Sequence, residues 1–210
     1  MARDGWLFVG PAILFALVAG VLSWMVWTPL WVFAAAGLLA AVCFAFFFRD
    51  PVRRIPEDPL ALVAPADGRV VIVEQLPDNR SQIHIFLSVL NVHVNRSPAK
   101  GRVLESIHRP GEYHAAMKPE AGTSNERQDI TLETAHGEVR FSQIAGVLAR
   151  RIVCRLRPGD QIQMGERFGL IRFGSRMQVI APPGFETVVN VGDKVRAGES
   201  IIARYNGSDD

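Results

Sequence analysis

The chain has 210 residues, of which 49% are hydrophobic and 21% charged, and its formal net charge is +2. This composition suits one modest globular domain together with a much more apolar segment. The near-neutral charge and the lack of a recognisable motif give little support to nucleic-acid binding. The two cysteines, Cys43 and Cys154, supply neither a plausible disulfide framework nor a zinc quartet.

The apolar segment lies at the start of the chain. Residues 5–48 contain no Asp, Glu, Lys, Arg or His, whereas a helix needs only about 20 apolar residues to cross a bilayer. Pro29 interrupts the run, because proline disfavours helix at the residue before it. Residues 1–48 are therefore predicted to form a membrane-anchoring helical hairpin. A signal peptide is the alternative, but its apolar region would be only about 7–15 residues long.

The flanking charges predict the orientation of this hairpin. Arg49, Arg53 and Arg54 follow the second helix, and Arg3 lies at the same end. Because positive residues are retained on the cytoplasmic side, the rest of the chain is predicted to lie at the cytoplasmic face of the cell membrane. Residues 49–66 contain four prolines and clustered charges, which is typical of an extended connector along the membrane surface.

Short β-type runs bounded by Gly, Pro, Asn and Asp follow the connector. Residues 67–210 are therefore predicted to form a mainly β domain of the barrel-sandwich-hybrid kind. The predicted strands are 69–76, 82–89, 101–107, 130–134, 138–144, 151–156, 168–173, 177–181, 187–191 and 200–205.

An internal repeat supports this prediction. Segment 159–174 aligns with segment 192–207, and both share G-D-x-[IV]-x-x-G-E followed by an apolar run. The pattern describes a turn–strand–turn–strand unit and resembles the unit of lipoyl and biotinyl carriers. A carrier lysine would lie at a hairpin tip, but Lys194 lies inside the G-D-K-V turn. The position of Lys194 disfavours a carrier, but the repeat keeps an uncleaved membrane-tethered binding or carrier module as the alternative hypothesis.

The first copy of the repeat ends at Gly174, which Ser175 follows. Glycine tolerates strained backbone angles, so the Ser175 hydroxyl could attack the preceding carbonyl carbon. An acyl shift from nitrogen to oxygen, β-elimination and hydrolysis would then cut the Gly174–Ser175 bond and convert Ser175 into a pyruvoyl group. Because Gly-Ser is also a common turn sequence, the dipeptide alone does not decide the question.

A nucleophilic serine needs a base, and the base is usually oriented by a third group. His93 is the candidate base, because strand alternation would place it on one polar face with Asn91 and Asn95. Asp67, which precedes the first predicted strand, is the candidate third group. The simpler alternatives are a solvent-facing strand for His93 and an Asp-Gly turn for Asp67.

Five motifs occur in order along the chain. They are F-F-R-D-P-x-R at 47–53, A-P-A-D-G at 64–68, N-V-H-V-N-R at 91–96, M-K-P-E-A-G-T-S-N-E-R-Q at 117–128 and R-F-G-S-R-M at 172–177. Together they resemble the phosphatidylserine decarboxylase proenzymes of the short bacterial and archaeal type.

The resemblance implies autocatalytic cleavage between Gly174 and Ser175, giving a β chain of residues 1–174 that stays associated with an α chain of residues 175–210. In longer members of that family, an Asp, a His and a Ser serve self-cleavage. Asp67 and Ser175 match two of these. The longer enzymes have H-x-x-H where this chain has His93 and Arg96, so either His93 serves both self-cleavage and catalysis or His84 takes one role.

The resemblance also implies the reaction, which belongs to phospholipid biosynthesis. Phosphatidylserine in the bilayer forms a Schiff base with the pyruvoyl cofactor, CO2 departs, and phosphatidylethanolamine is released after reprotonation. His93 is the candidate acid, since its ordinary pKa lies near working pH. Arg96, Arg127 and Arg176 are candidates for binding the phosphate or carboxylate, and His114 is a secondary candidate.

No metal site is predicted, because the chain lacks H-E-x-x-H and His-x-His patterns. The same observation disfavours a metallopeptidase. The oligomeric state is left open, and a homo-oligomer is compatible with the sequence.

Overall fold

A computed structural model describes residues 1–26, 28–114, 124–147, 151–172 and 174–207. The chain divides into two compact units, Met1–Pro51 and Val52–Asp210.

The first unit is the predicted helical hairpin. Short 3-10 turns at Arg3–Gly5 and Thr28–Leu30 precede helices α1 (Trp6–Met25) and α2 (Trp31–Phe47). The helices are antiparallel, because Phe8 near the start of α1 packs on Phe44 near the end of α2, with ring centroids 5.4 Å apart. Gly37 permits the close approach, since a Cβ there would lie 2.9 Å from Phe15. By length and composition alone, Arg3–Met25 and Thr28–Phe47 could each cross a membrane.

The second unit is mainly β, as predicted. Its strands are β1 (Ala61–Val63), β2 (Gly68–Gln75), β3 (Ser81–Leu87), β4 (Val94–Arg96), β5 (Gly101–Arg109), β6 (Arg127–Thr134), β7 (Gly137–Ile144), β8 (Ile152–Cys154), β9 (Gln161–Ile162), β10 (Arg167–Ile171), β11 (Ser175–Ala181), β12 (Phe185–Thr187), β13 (Lys194–Val195) and β14 (Ile201–Tyr205).

These strands form three antiparallel sheets. The large sheet has the order β13-β2-β3-β11-β7-β6-β5-β9, and the two small sheets have the orders β1-β14-β12 and β4-β10-β8. The inner face of the large sheet carries the core, including Ile83, Ile85 and Val179, all fully buried. Phe141 of the large sheet packs on Phe168 of a small sheet, with ring centroids 5.3 Å apart.

The sheet orders reveal an internal twofold repeat. The order β13-β2-β3-β11 is matched by β9-β5-β6-β7, and β1-β14-β12 is matched by β4-β10-β8. One half thus comprises β1–β3 with β11–β14, and the other comprises β4–β10. The predicted repeat appears in the matching turns: Gly159 and Gly192 have φ of 95° and 103°, and Gly165 and Gly198 have φ of 74° and 75°.

The second half is inserted into a hairpin of the first. In the second half, β6 and β7 join directly, and Thr134 pairs with Gly137. At the equivalent position of the first half, Leu87 of β3 pairs with Ser175 of β11. These two strands are not joined directly, because β4–β10 lie between them in the sequence. The two crossovers between the halves are therefore residues 88–93 and the connection from β10 to β11, and the predicted cleavage site lies where the second crossover reaches β11.

Three predicted details differ from the structure, and β1, β9 and β13 were not predicted as strands. The strand predicted at 187–191 lies instead at Phe185–Thr187 (β12). The chain turns after it, where the Asn190 backbone N–H donates to Asp193 Oδ2 over 2.8 Å. The polar run around His93 is a strand only from Val94, because Asn91 Oδ1 turns back to accept from Ser88. The predicted alternation of Asn91, His93 and Asn95 is therefore wrong.

The third difference is the offset of the repeat in its strands. The turn glycines Gly159 and Gly192 are 33 residues apart. Leu62 pairs with Ala203 and Asn95 with Gly169, so the equivalent residues of β14 and β10 are 34 residues apart.

Candidate active site

Ser175 begins β11 at the point where one crossover returns to the large sheet. Gly174 before it has φ +59°, and a Cβ there would meet nothing within 4 Å. Glycine is thus favoured at this turn by its backbone angle rather than by lack of space. Ser175 is fully buried, and its Oγ has no hydrogen-bond partner among the described residues. Burying a hydroxyl without a hydrogen-bond partner costs free energy. Such an unpaired group is typical of a residue that takes part in a reaction.

His93 lies in the other crossover, beside the segment that leads to Ser175. The two crossovers run antiparallel, because Leu87 pairs with Ser175 at one end and Val94 with Leu170 at the other. The Ile171 N–H donates to the His93 carbonyl over 3.3 Å, and His93 is buried. The structure thus brings the predicted base beside the predicted cleavage segment.

His84 does not share the face on which Ser175 lies. Along β3, Ile83, Ile85 and Leu87 face the core, so His84 faces outward. Its Nδ1 lies 3.5 Å from Arg176 Nη1. Burial lowers the pKa of His84 to about 4, and the charges of Arg176 and Arg127 add to the effect. The ring is therefore neutral near pH 7 and lies on the opposite face of the sheet from the side chain of Ser175.

Two of the arginines predicted to bind substrate also lie on the outer face. Arg127 Nε donates to Asp129 Oδ1 over 2.7 Å, and its Nη2 donates to Ser142 Oγ over 3.1 Å. Burial lowers the pKa of Arg176. Strand alternation directs Arg127 and Arg176 away from the inner face where Ser175 lies, which is unfavourable for their predicted role at that serine.

Arg96 and His114 occupy different surroundings. Arg96 is buried on β4 and donates from Nη1 to the Gly165 carbonyl over 2.9 Å. The exposed His114 ring contacts Glu112, and its backbone is held by Asn125. Residues 115–123, which include most of the fourth motif, lie outside the described residues.

Asp67 is held by the connector. Nη2 of Arg53 donates to both carboxylate oxygens of Asp67 over 2.8 Å, and the Ala197 N–H donates to Oδ1 over 2.9 Å. Nη1 of Arg53 also donates to Glu199 over 3.3 Å. The Arg53 side chain is only 6% exposed. This arginine of the connector therefore pairs with protein carboxylates, and Asp67 sits two strands from Ser175.

The sequence analysis missed Gln143. It is fully buried on β7, and its Nε2 donates to Asn95 Oδ1 over 2.9 Å. The available signal was alternation: Val139 and Phe141 are apolar, and Gln143 continues the same inner face.

A cavity of about 840 Å³ occupies the position that corresponds to this site in the other half of the fold. Its lining includes Leu62, Lys100, Thr134 and His136. By the matching registers, Lys100 corresponds to Asp67 and Leu62 to Asn95. The cavity has no serine at the position equivalent to Ser175, which is occupied by Gly137.

The residues present fit a pyruvoyl group derived from Ser175. The glycine turn exposes the preceding carbonyl to attack, the Ser175 hydroxyl has no partner among the described residues, and a histidine lies in the adjacent crossover. Among the described residues there is no group of three or more His, Cys, Asp or Glu side chains that could hold a metal.

Known proteins match this chain over nearly its whole length. Residues 40–203 match the family model described as phosphatidylserine decarboxylase. The phosphatidylserine decarboxylase proenzyme of Nitrosomonas eutropha is 42% identical, and the alignment covers 98% of this chain and 95% of that protein. The proenzyme of Desulfotalea psychrophila is 42% identical, covering 97% and 96%. That of Pelobacter propionicus is 43% identical, covering 94% and 91%.

These similarities define the class of the protein as a carboxy-lyase. The chain belongs to the phosphatidylserine decarboxylase family.

Proposed function

We propose that this chain is a proenzyme that cuts itself between Gly174 and Ser175 and then decarboxylates phosphatidylserine to phosphatidylethanolamine and CO2 in phospholipid biosynthesis. The observation that carries the proposal is the buried Ser175 hydroxyl, which has no partner among the described residues and follows a glycine at φ +59°. The names of the relatives support the substrate.

Self-cleavage begins at the Gly174 carbonyl. His93 accepts the proton of Ser175 Oγ as the oxygen attacks, and the Gly174–Ser175 amide becomes an ester. β-Elimination releases the Gly174 carboxylate and leaves a dehydroalanine at position 175, which hydrolysis converts into the pyruvoyl group with loss of ammonia. Asp67 is assigned to this step by its match to the family's aspartate, and its carboxylate lies at the entry to β2, where Arg53 holds it.

The pyruvoyl group supplies a ketone that holds the substrate amine and accepts the electron pair released with CO2. His93 then delivers a proton to the carbon that has lost its carboxylate. Since His93 is 2% exposed, it does so in a site largely closed to bulk water, where electrostatic interactions are stronger than in solution.

The two chains produced by cleavage would stay associated through the large sheet. β11 belongs to the α chain 175–210 and lies between β3 and β7 of the β chain 1–174. Its pairing with β3 extends from Ser175↔Leu87 to Ala181↔Ser81. Its inner side chains, including Met177 and Val179, are fully buried in the shared core. Breaking one crossover therefore leaves the sheet intact.

The α1–α2 hairpin would confine the enzyme to the bilayer that contains its substrate. Residues 49–66 would connect it to the catalytic domain, residues 67–210, on the cytoplasmic side. Confinement of enzyme and lipid to the same membrane raises their encounter rate.

The proposal is tested with Ser175→Ala in the full chain. The variant is expected to remain one intact chain without decarboxylase activity, whereas the natural chain yields two fragments and releases CO2 from phosphatidylserine. Ser81→Ala is the matched control, because Ser81 is also buried on the inner face, and it should be cut normally. Cleavage and turnover of the Ser175→Ala variant would contradict the proposal, and an uncut natural chain would favour a binding module.

A further inference from the structure

Two buried amide side chains, Gln143 and Asn95, form a pair inside the fold. Both residues are fully buried. Gln143 Nε2 donates to Asn95 Oδ1 over 2.9 Å and to the Val153 carbonyl over 3.3 Å. The Val153 contact fixes the orientation of the Gln143 amide, because a flipped amide would bring two oxygens together.

Each amide has one polar atom left over. Gln143 Oε1, an acceptor, and Asn95 Nδ2, a donor, are buried and have no hydrogen-bond partner among the described residues. Buried polar atoms are almost always paired, so an acceptor and a donor left unpaired on two side chains in contact call for an explanation. A ligand with one donor and one acceptor would satisfy both.

This amide pair lies next to Ser175. Gln143 pairs with Met177, and Ser175 is two residues from Met177 on the same strand. Gln143 and Ser175 therefore share the inner face as diagonal neighbours, a relationship in which Cα atoms are about 7–8 Å apart. Asn95 follows His93 by two residues. The unpaired atoms thus belong to the surroundings of the proposed nucleophile.

The other half of the fold serves as an internal comparison. Gly137 corresponds to Ser175, so Gln143 corresponds to Ala181, and Asn95 corresponds to Leu62. Ala181 and Leu62 are buried members of the hydrophobic core. The same fold therefore accepts an apolar pair at these positions, and it carries amides only at the end where the serine lies.

We infer that Gln143 and Asn95 bind the serine head group of the substrate, an inference that rests on the proposed function. Gln143 Oε1 accepts a hydrogen bond from the substrate amine, and Asn95 Nδ2 donates one to the carboxylate. The ligand class is a zwitterionic α-amino acid head group, because it offers a donor and an acceptor on one carbon. The product retains the amine but lacks the carboxylate, so it loses the contact with Asn95.

The test replaces the amides with the apolar pair of the other half. In the full chain, Asn95→Leu combined with Gln143→Ala is expected to be cut normally and to unfold at the same temperature as the natural protein or higher, because two unsatisfied polar atoms disappear. Its kcat/KM for phosphatidylserine should fall at least about tenfold, since hydrogen bonds to charged groups are lost.

Gln128→Met is the matched control, because Gln128 pairs with Gln143 in the neighbouring strand and its Nε2 already has a partner, Ser106 Oγ, at 3.0 Å. It should keep the natural kcat/KM. Asn95→Asp is a second test: it preserves size but adds a negative charge, so it should raise KM for phosphatidylserine while cleavage continues.

Three results would overturn the inference. An unchanged kcat/KM in the double variant would show that the amides do not bind the head group. A lower unfolding temperature would assign them a structural role, and loss of cleavage would assign them to maturation. Failure of the proposed function is distinguishable, because the natural chain would then remain uncut or inactive.

Discussion

Arg53 and Asp67 are joined by two hydrogen bonds of 2.8 Å, both from Nη2 of the arginine. Arg53 follows the end of α2 at Phe47 within a few residues, and Asp67 immediately precedes β2. The segment that follows the α1–α2 hairpin therefore holds the carboxylate that we propose supports self-cleavage.

Removal of Arg53 should destabilise the protein. In Arg53→Ala the largely buried carboxylate of Asp67 loses its ionic partner, and breaking such a pair costs about 3 kcal/mol or more. Denaturant unfolding of the detergent-solubilised full chain measures the loss. Arg54→Ala is the matched control, because this neighbouring side chain is exposed and should have little effect. Equal losses in the two variants would contradict a specific role of the Arg53–Asp67 pair.

Gly174→Ala should slow self-cleavage. A Cβ at this position meets no atom within 4 Å but opposes φ +59°, so the penalty is backbone strain of about 1–2 kcal/mol. The expected result is slower appearance of the two fragments in a time course after synthesis. Gly159→Ala carries the same kind of strain, with φ +95° and open space, and should be cut at the natural rate. If both variants mature equally fast, the Gly174 turn has no special role.

His93 and His84 should behave differently when changed to glutamine. His93→Gln removes the proposed base, and loss of general base catalysis typically slows a reaction by about 100-fold or more. His84→Gln should leave cleavage intact, because His84 faces the outer side of the large sheet. Gel analysis of the newly made chains gives both rates. Normal cleavage in His93→Gln, or its loss in His84→Gln in a folded protein, would reverse these assignments.

His84 should make the fold sensitive to acid. Its pKa is lowered to about 4 in the folded protein from an ordinary value of 6.5, so below pH 6.5 the unfolded chain binds a proton that the folded chain does not. Stability is therefore complete above pH 6.5 and falls as the pH drops toward 4, by up to about 3 kcal/mol. Unfolding free energies across this range should fall less steeply for His84→Gln. Identical pH profiles would contradict the prediction.

The sequence predicted the elements better than their arrangement. Apolar length alone gave the hairpin of α1 and α2, and alternation gave most strands of the large sheet. The 33-residue repeat at Gly159 and Gly192 was also visible. Its extension to the P-A-x-G-R-V segments that begin at Pro65 and Pro98 was overlooked, because the differing Asp67 and Lys100 hide it.

The surroundings of the proposed nucleophile required the fold. Leu87 and Ser175 are direct neighbours although half of the domain lies between them in sequence, and no local pattern indicates such an insertion. The partners of Asp67 and Gln143 could not be predicted for the same reason: Arg53 reaches Asp67 from the connector, and Asn95 reaches Gln143 from a different sheet.

The mass of the purified full-length protein tests the central claim most directly. We expect two chains, residues 1–174 ending in a free carboxylate and residues 175–210 lighter by one ammonia than the same fragment with an N-terminal serine. Treatment with borohydride in the presence of phosphatidylserine should attach the lipid to the smaller chain. A single intact chain, or a small fragment that begins with an ordinary serine, would contradict the account.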